Sequence, residues 1–145
     1  MRATAKTSIS CPPQRVFDTL ADLRRETEWN SRVSSAELLS EEPVRLGSRF
    51  ALVNGGTPFT ATITRWEPPS HLTFEAKGRP DLTIDYALTP TADGTELESV
   101  LDFRPTGALK LLLGLLAPVI RRDVAKQYVS LKTLCEGAPA PPSND

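Results

Sequence analysis

Apolar positions along this chain change their spacing twice. After a weakly alternating start, "AKTSIS", the segment "CPPQRVFDTLADLRRETEW" carries Val16, Phe17 and Leu20 at helical spacing. Its tandem prolines suit a helix's first turn, where the missing N–H is no loss. Asp22 is placed to cap a second short helix over "LRRETEW". From Val33 to Phe103 the period falls to two, and the apolar runs are separated by "EEPVRLG", "NGGTP", "EPPSH", "KGRPD" and "TADGT", all rich in turn formers. Leu72, Phe74 and Ala76 share one face of a strand, as do Leu82, Ile84, Tyr86 and Leu88. Leu97, Ser99, Leu101 and Phe103 share another, with Glu96, Glu98 and Asp102 facing away. Strands apolar on one side and polar on the other predict an antiparallel sheet with one buried face.

That face needs a cover, and the only large one is the segment from about Thr106 to Glu136, which as a helix would be about 40 Å long. In its second half Val124, Tyr128, Leu131 and Cys135 form one stripe, with Arg122, Lys126 and Lys132 largely elsewhere. The first half, within "GALKLLLGLLAPVIRRD", is apolar nearly all round, and Gly114 and Pro118 should bend or loosen it. Leu109, Leu112, Leu116 and Ile120 fall near one stripe and are expected to face the sheet. Leu111, Leu115 and Val119 lie on a second stripe, which suits either an oligomer contact or a surface for ligand access. The run of about a dozen apolar residues is too short for a membrane span, which needs ~20.

The predicted fold class is therefore α+β: a curved antiparallel β-sheet of about seven strands wrapped around a long C-terminal α-helix, with two short helices between strands 1 and 2. Residues 1–136 form the expected single domain. The remaining "GAPAPPSND", residues 137–145, reads as a disordered proline-rich tail.

Charge narrows the partners. Seventeen basic against eighteen acidic residues, a net charge of −1, leaves no basic footprint for nucleic acid and no block to hold the chain on anionic lipid. The N-terminal "MRATAKTSIS" has no apolar core of a signal peptide, so a cytoplasmic location is expected. Cys11 and Cys135 fit no zinc or redox spacing; two reduced thiols are expected, with a single disulfide as the alternative.

Candidate chemistry is sparse. His71, the only histidine, sits in the turn "EPPSHL" and reads as a solvated side chain rather than a base. Glu96, Glu98 and Asp102 alternate outward and make no metal cluster. "NGGTP" lacks the lysine and following helix of a phosphate loop and reads as a hairpin turn. Arg49 and Asp85 have outward parity by default, and Arg65 joins them as a polar group that only a bulge would turn inward. No metal, cofactor or catalytic residue is expected from these patterns.

The order of these pieces resembles the START-like (SRPBCC, helix-grip) superfamily, in its polyketide cyclase/dehydrase and lipid transport branch. The resemblance spans about residues 3 to 136. It is carried by "CPPQRVFDTLADL", "ETEWNSRV" with Trp29, "VRLGSRF", "ITRWEPPSHLTFEA" and "YALTPTADGTELE". It implies an elongated, mostly apolar cavity between the sheet and the long helix, open at one end, with the Asn54–Phe59 loop as a gate at its mouth. Members bind lipids, sterols, polyketides or other apolar molecules, and some cyclise or dehydrate polyketides; no catalytic residue carries over.

On this reading the ligand-binding residues are Trp29, Phe50, Phe59, Phe74, Ile84, Tyr86, Ser99, Leu101, Leu112, Leu116 and Ile120. Trp66 is read as packing at the sheet's end. The Tyr86 hydroxyl, on the concave face, needs a partner that a ligand, a water or the backbone would supply. The expected function is binding, sequestration or transfer of an apolar small molecule, with no enzymatic activity as the default. Two alternatives stand beside it. One is a polyketide cyclase/aromatase-like enzyme, which would require a buried ionisable group within reach of the cavity. The other is an interaction module or homodimer docking through Leu111, Leu115 and Val119, with transient membrane-surface contact as a further partner.

Overall fold

The first and last strands lie side by side. In the computed structural model, which describes residues 1–137, β1 (Arg2–Ile9) pairs antiparallel with β7 (Thr95–Arg104). From there the sheet runs back through the chain as β1-β7-β6-β5-β4-β3-β2. The others are β2 (Val33–Leu38), β3 (Arg49–Asn54), β4 (Thr57–Glu67), β5 (His71–Lys77) and β6 (Asp81–Pro90). All neighbours are antiparallel, as short connections between consecutive strands require. Register irregularities at Val33/Ser35 and Ile63/Arg65 mark bulges, which bend the strands that carry them.

Local signals in the sequence explain the rest. Helix α1 (Pro13–Ala21) starts with proline at its first position and buries Val16, Phe17, Thr19, Leu20 and Ala21. A short 3-10 helix (Leu23–Glu28) follows at once, capped by the Asp22 carboxylate, which accepts from the Arg24 backbone N–H at 3.1 Å. Between β3 and β4, Gly55 and Gly56 both take positive φ, +58° and +82°, as a tight hairpin turn demands.

Helix α2 (Ala108–Gly137) is continuous through Pro118, at about 45 Å for thirty residues. Proline at 118 deprives the Gly114 carbonyl of its helical donor, and both residues are exposed, so water can serve instead. Its C-terminal half seals the core: Val124, Tyr128, Leu131 and Cys135 are all buried, in one cluster with Phe17, Leu20, Leu88 and Leu97. The architecture is the α+β helix-grip arrangement predicted, with seven strands. The proline-rich segment proposed as a tail lies outside the described residues, apart from Gly137, which ends α2. Cys11 and Cys135 are both buried free thiols, with the Cys11 Sγ 3.5 Å from the Cys135 carbonyl.

Candidate functional site: a cavity under the C-terminal helix

Where the two halves of α2 differ, a space opens. A cavity of about 380 Å³ lies between the N-terminal half of α2 and the concave face of the sheet. Leu113, Leu116, Val119, Ile120 and Val124 roof it. Leu52, Ala61, Phe74, Ala76, Leu82, Ile84 and Leu101 line the sheet side. At the mouth, Asn54, Gly55, Thr57 and Phe59 form the β3–β4 rim, and Arg79 and Pro80 form the β5–β6 rim. Arg32 reaches across to Asp123 on α2 at 3.6 Å and stands beside Gly55. A side chain at Gly78 would collide with the Phe59 ring, so the β5–β6 turn passes directly over that aromatic.

The far end is closed and polar. Beyond Tyr86 and Tyr128 the interior is solid, with Leu88 at 4% exposure and Leu97 and Leu131 at 0%. The Tyr128 hydroxyl donates to the Ser99 Oγ at 2.7 Å, tying α2 to β7. The Trp29 and Tyr128 rings lie 6.2 Å apart, tilted by 37°. Among the described residues, the Trp29 indole N–H is the one buried side-chain polar atom without a hydrogen-bond partner. Glu26 also lines this end, accepting from the Asn30 Nδ2 at 2.8 Å; Asn30 in turn accepts from the Arg32 backbone N–H at 3.1 Å.

Burial sets the electrostatics here. Desolvation pushes the Glu26 carboxyl up to about 7 against the opposing pull of the Asn30 hydrogen bond. The residue keeps part of its surface and lines the cavity. Burial likewise raises the Tyr86 phenol well above its ordinary value, and raises Tyr128 to about 12. Both tyrosines are neutral donors at any physiological pH.

The structure brings together Trp29, Phe59, Phe74, Ile84, Tyr86, Leu101, Leu116 and Ile120 on the cavity wall. Three other residues expected there lie elsewhere. Phe50 is fully buried behind Phe74, ring to ring at 6.4 Å, and belongs to the core. Ser99 faces inward but is fully buried beneath Tyr128. Leu112 is 50% exposed on the outer side of α2. The correction to Leu112 has a helical reason. At 3.6 residues per turn Leu113 falls in line with Leu131 and between Val124 and Ile120, whereas Leu112 is turned about 100° away from it. Leu109, in the first turn of α2, does not line the cavity. Leu111 and Leu115, at 77% and 79%, are the most exposed leucines, while Val119 reaches the cavity roof as well as solvent.

Glu26, Asn30 and Tyr128 complete the site, and no sequence pattern marks them as site residues. Tyr128 is visible only as a member of a helical stripe. Glu26 lies in a charged run, "RRETE", that looks solvated throughout. Elsewhere the pattern places polar groups as expected: Arg49, Arg65 and Asp85 are exposed, and His71 opens β5 beside Ser70, 3.1 Å away. Trp66 packs edge-on against Phe17 at 5.1 Å. Among the described residues, no group of three His, Cys, Asp or Glu side chains could hold a metal ion, and no helix is long and apolar enough to cross a membrane.

The sequence that folds this way also matches a family model. The model for "Polyketide cyclase / dehydrase and lipid transport" matches residues 1–136. The chain belongs to that family. Among curated proteins, none matches. Solved structures share the polyketide cyclase/dehydrase fold at low identity. Protein TTHA0849 from Thermus thermophilus has a TM-score of 0.79 at 21% identity, covering 97% of this chain and 100% of that one. Protein MLL2253 from Mesorhizobium loti has a TM-score of 0.73 at 17% identity, over 97% and 100%. DynU16, a protein of the dynemicin biosynthetic locus, has a TM-score of 0.69 at 17% identity; the match covers 94% of this chain but 48% of DynU16. At these identities the likeness concerns the fold.

Proposed function

We propose that this family member binds an apolar small molecule in the cavity beneath α2 and sequesters or transfers it. The carrying observation is the combination of about 380 Å³ of space, walls of leucine, isoleucine, valine and phenylalanine, and one polar end. The volume lies toward the lower end of the ~300–1,000 Å³ typical of small-molecule sites. Desolvation supplies the affinity, at roughly 0.8 kcal/mol for each ligand CH₂ buried. The ligand-binding residues are Trp29, Phe59, Phe74, Ile84, Tyr86, Leu101, Leu116 and Ile120, together with Leu113 and Tyr128. Titration with an alkane or alkyl ketone, followed by amide NMR shifts, tests the reading. Shifts confined to the residues around the cavity support it; shifts spread over the outer face of the sheet, or none, contradict it.

A second reading, proton transfer to a bound substrate, is favoured by one observation: a partly buried ionisable group, Glu26, lines the cavity. A carboxyl poised at about 7 is matched to exchanging a proton near neutral pH. Incubation with a 1,3-diketone in D₂O would reveal such activity as accelerated exchange of the carbon-bound protons between the carbonyls. The Glu26 carboxylate would take up the proton and return a deuteron. Exchange no faster than in buffer would leave binding as the sole function.

A further inference from the structure

We infer that Glu26, as a neutral carboxylic acid, donates a hydrogen bond to an oxygen of the bound molecule, so that the cavity selects apolar ligands ending in a carbonyl or similar acceptor over hydrocarbons and amines. This inference rests on the binding reading above and names its ligand class.

The argument starts from what Glu26 lacks. Its hydrogen-bond partner among the described residues is the Asn30 amide, and no cation pairs with it. The arginines near it in sequence are committed elsewhere: Arg24 to Asp22 and Glu42, Arg25 to Glu28, Arg32 to Asp123. The groups around it from other elements bring no positive charge to the inner end. Tyr86 comes from β6 and Tyr128 from α2. The remaining cations on the cavity wall, Arg32 and Arg79, stand at the mouth. An ionised carboxylate shielded from water without a cation is costly, so the group holds its proton to higher pH than an ordinary carboxyl does. The raised value of about 7 agrees with that geometry.

A protonated carboxyl is a donor, yet the one side-chain hydrogen bond of Glu26, from Asn30, uses it as an acceptor. The nearby Tyr86 and Tyr128 hydroxyls engage each other rather than Glu26. Asn30 already spends its oxygen on the Arg32 N–H, and the Ser99 oxygen accepts from Tyr128. A carboxylic acid with its donor unspent fits an acceptor on the ligand, and the hydrocarbon walls fit the rest of it.

The test compares 2-nonanone, nonane and nonylamine as probes. Dissociation constants are measured by NMR at pH 5.5 and 8.5 for the wild-type protein, Glu26→Gln and Glu26→Leu, each first shown to be folded by its thermal transition. At pH 5.5 the wild type should favour the ketone over the alkane by roughly three- to tenfold, the size of one net hydrogen bond. The preference should vanish at pH 8.5, persist at both pH values in Glu26→Gln, and be absent at both in Glu26→Leu. A wild-type preference indifferent to pH, its retention in Glu26→Leu, or the amine outranking the ketone at pH 5.5 would overturn the inference. Equal binding of alkane and ketone at pH 5.5 would remove the donor role and leave the binding cavity standing. Failure of all three probes to bind would overturn both.

Discussion

Tyr128 on α2 and Ser99 on β7 are joined by a 2.7 Å hydrogen bond at the closed end of the cavity. The bond holds the helix to the sheet at the boundary where open space gives way to solid core. It also explains why Ser99, correctly read as inward-facing, is a support for the site and not part of its wall.

That bond makes a stability prediction. Ser99→Ala should remove the acceptor of the buried Tyr128 O–H and cost about 1–3 kcal/mol in chemical denaturation. Adding Tyr128→Phe should recover part of the loss, because neither partner is then left wanting. Strict additivity of the two changes would show that the bond carries no coupling.

Two leucines on one helix should behave differently. Leu131 is fully buried, so Leu131→Ala should cost about 2–5 kcal/mol. Leu116 borders the cavity and is 39% exposed, so Leu116→Ala should cost less than about 1 kcal/mol, since it enlarges a space that already exists. Equal losses in urea unfolding would mean that the N-terminal half of α2 is packed like its C-terminal half.

Glu26 should leave a signature in the pH dependence of stability. Its folded value of about 7 exceeds the ordinary carboxyl value near 4.5, so between these pH values the native state binds a proton that the unfolded chain has lost. This contribution is fully present below about pH 4.5 and is lost as pH rises through about 7. Glu67, Asp81 and Glu136, held below the usual range by hydrogen bonds from Arg65, the Gly78 N–H and Lys132, act in the opposite sense at acid pH. Glu26→Gln isolates the effect: relative to wild type it should gain stability from pH 4.5 to 8.5. A difference that stays constant across that range would place the carboxyl in an ordinary solvated setting.

The thiols should be silent in the folded protein. Cys11 and Cys135 are buried, and burial raises the Cys135 thiol above its ordinary value. A thiol-reactive dye should label neither at neutral pH within the time that labels both in urea. Rapid labelling of one in the native state would show that the end of α2 opens.

How much of this was legible beforehand follows from which patterns are local. The alternation in "LTIDYAL" and "ELESVLDF" placed Tyr86, Ser99 and Leu101 on the concave face, because a strand offers a side chain only two directions. The stripe Val124, Tyr128, Leu131, Cys135 was equally plain. The first half of α2 was not, because a segment apolar on every side has no preferred face; only continuity with the second half selects Leu113 over Leu112. Phe50 was misplaced for a different reason: alternation gives the face of a strand but not how deep along the sheet a residue sits. Glu26 was invisible because its surroundings include Tyr86 and Tyr128, contributed by distant segments of the chain. No local pattern separates it from its charged neighbours.

The most direct test of the cavity as a binding site is native mass spectrometry of the protein purified from its own host. The account predicts a stoichiometric adduct of apolar small-molecule mass, released on denaturation and displaced by excess alkyl ketone. Protein that consistently flies at its bare mass, and that gains no adduct when incubated with a host lipid extract, would contradict it.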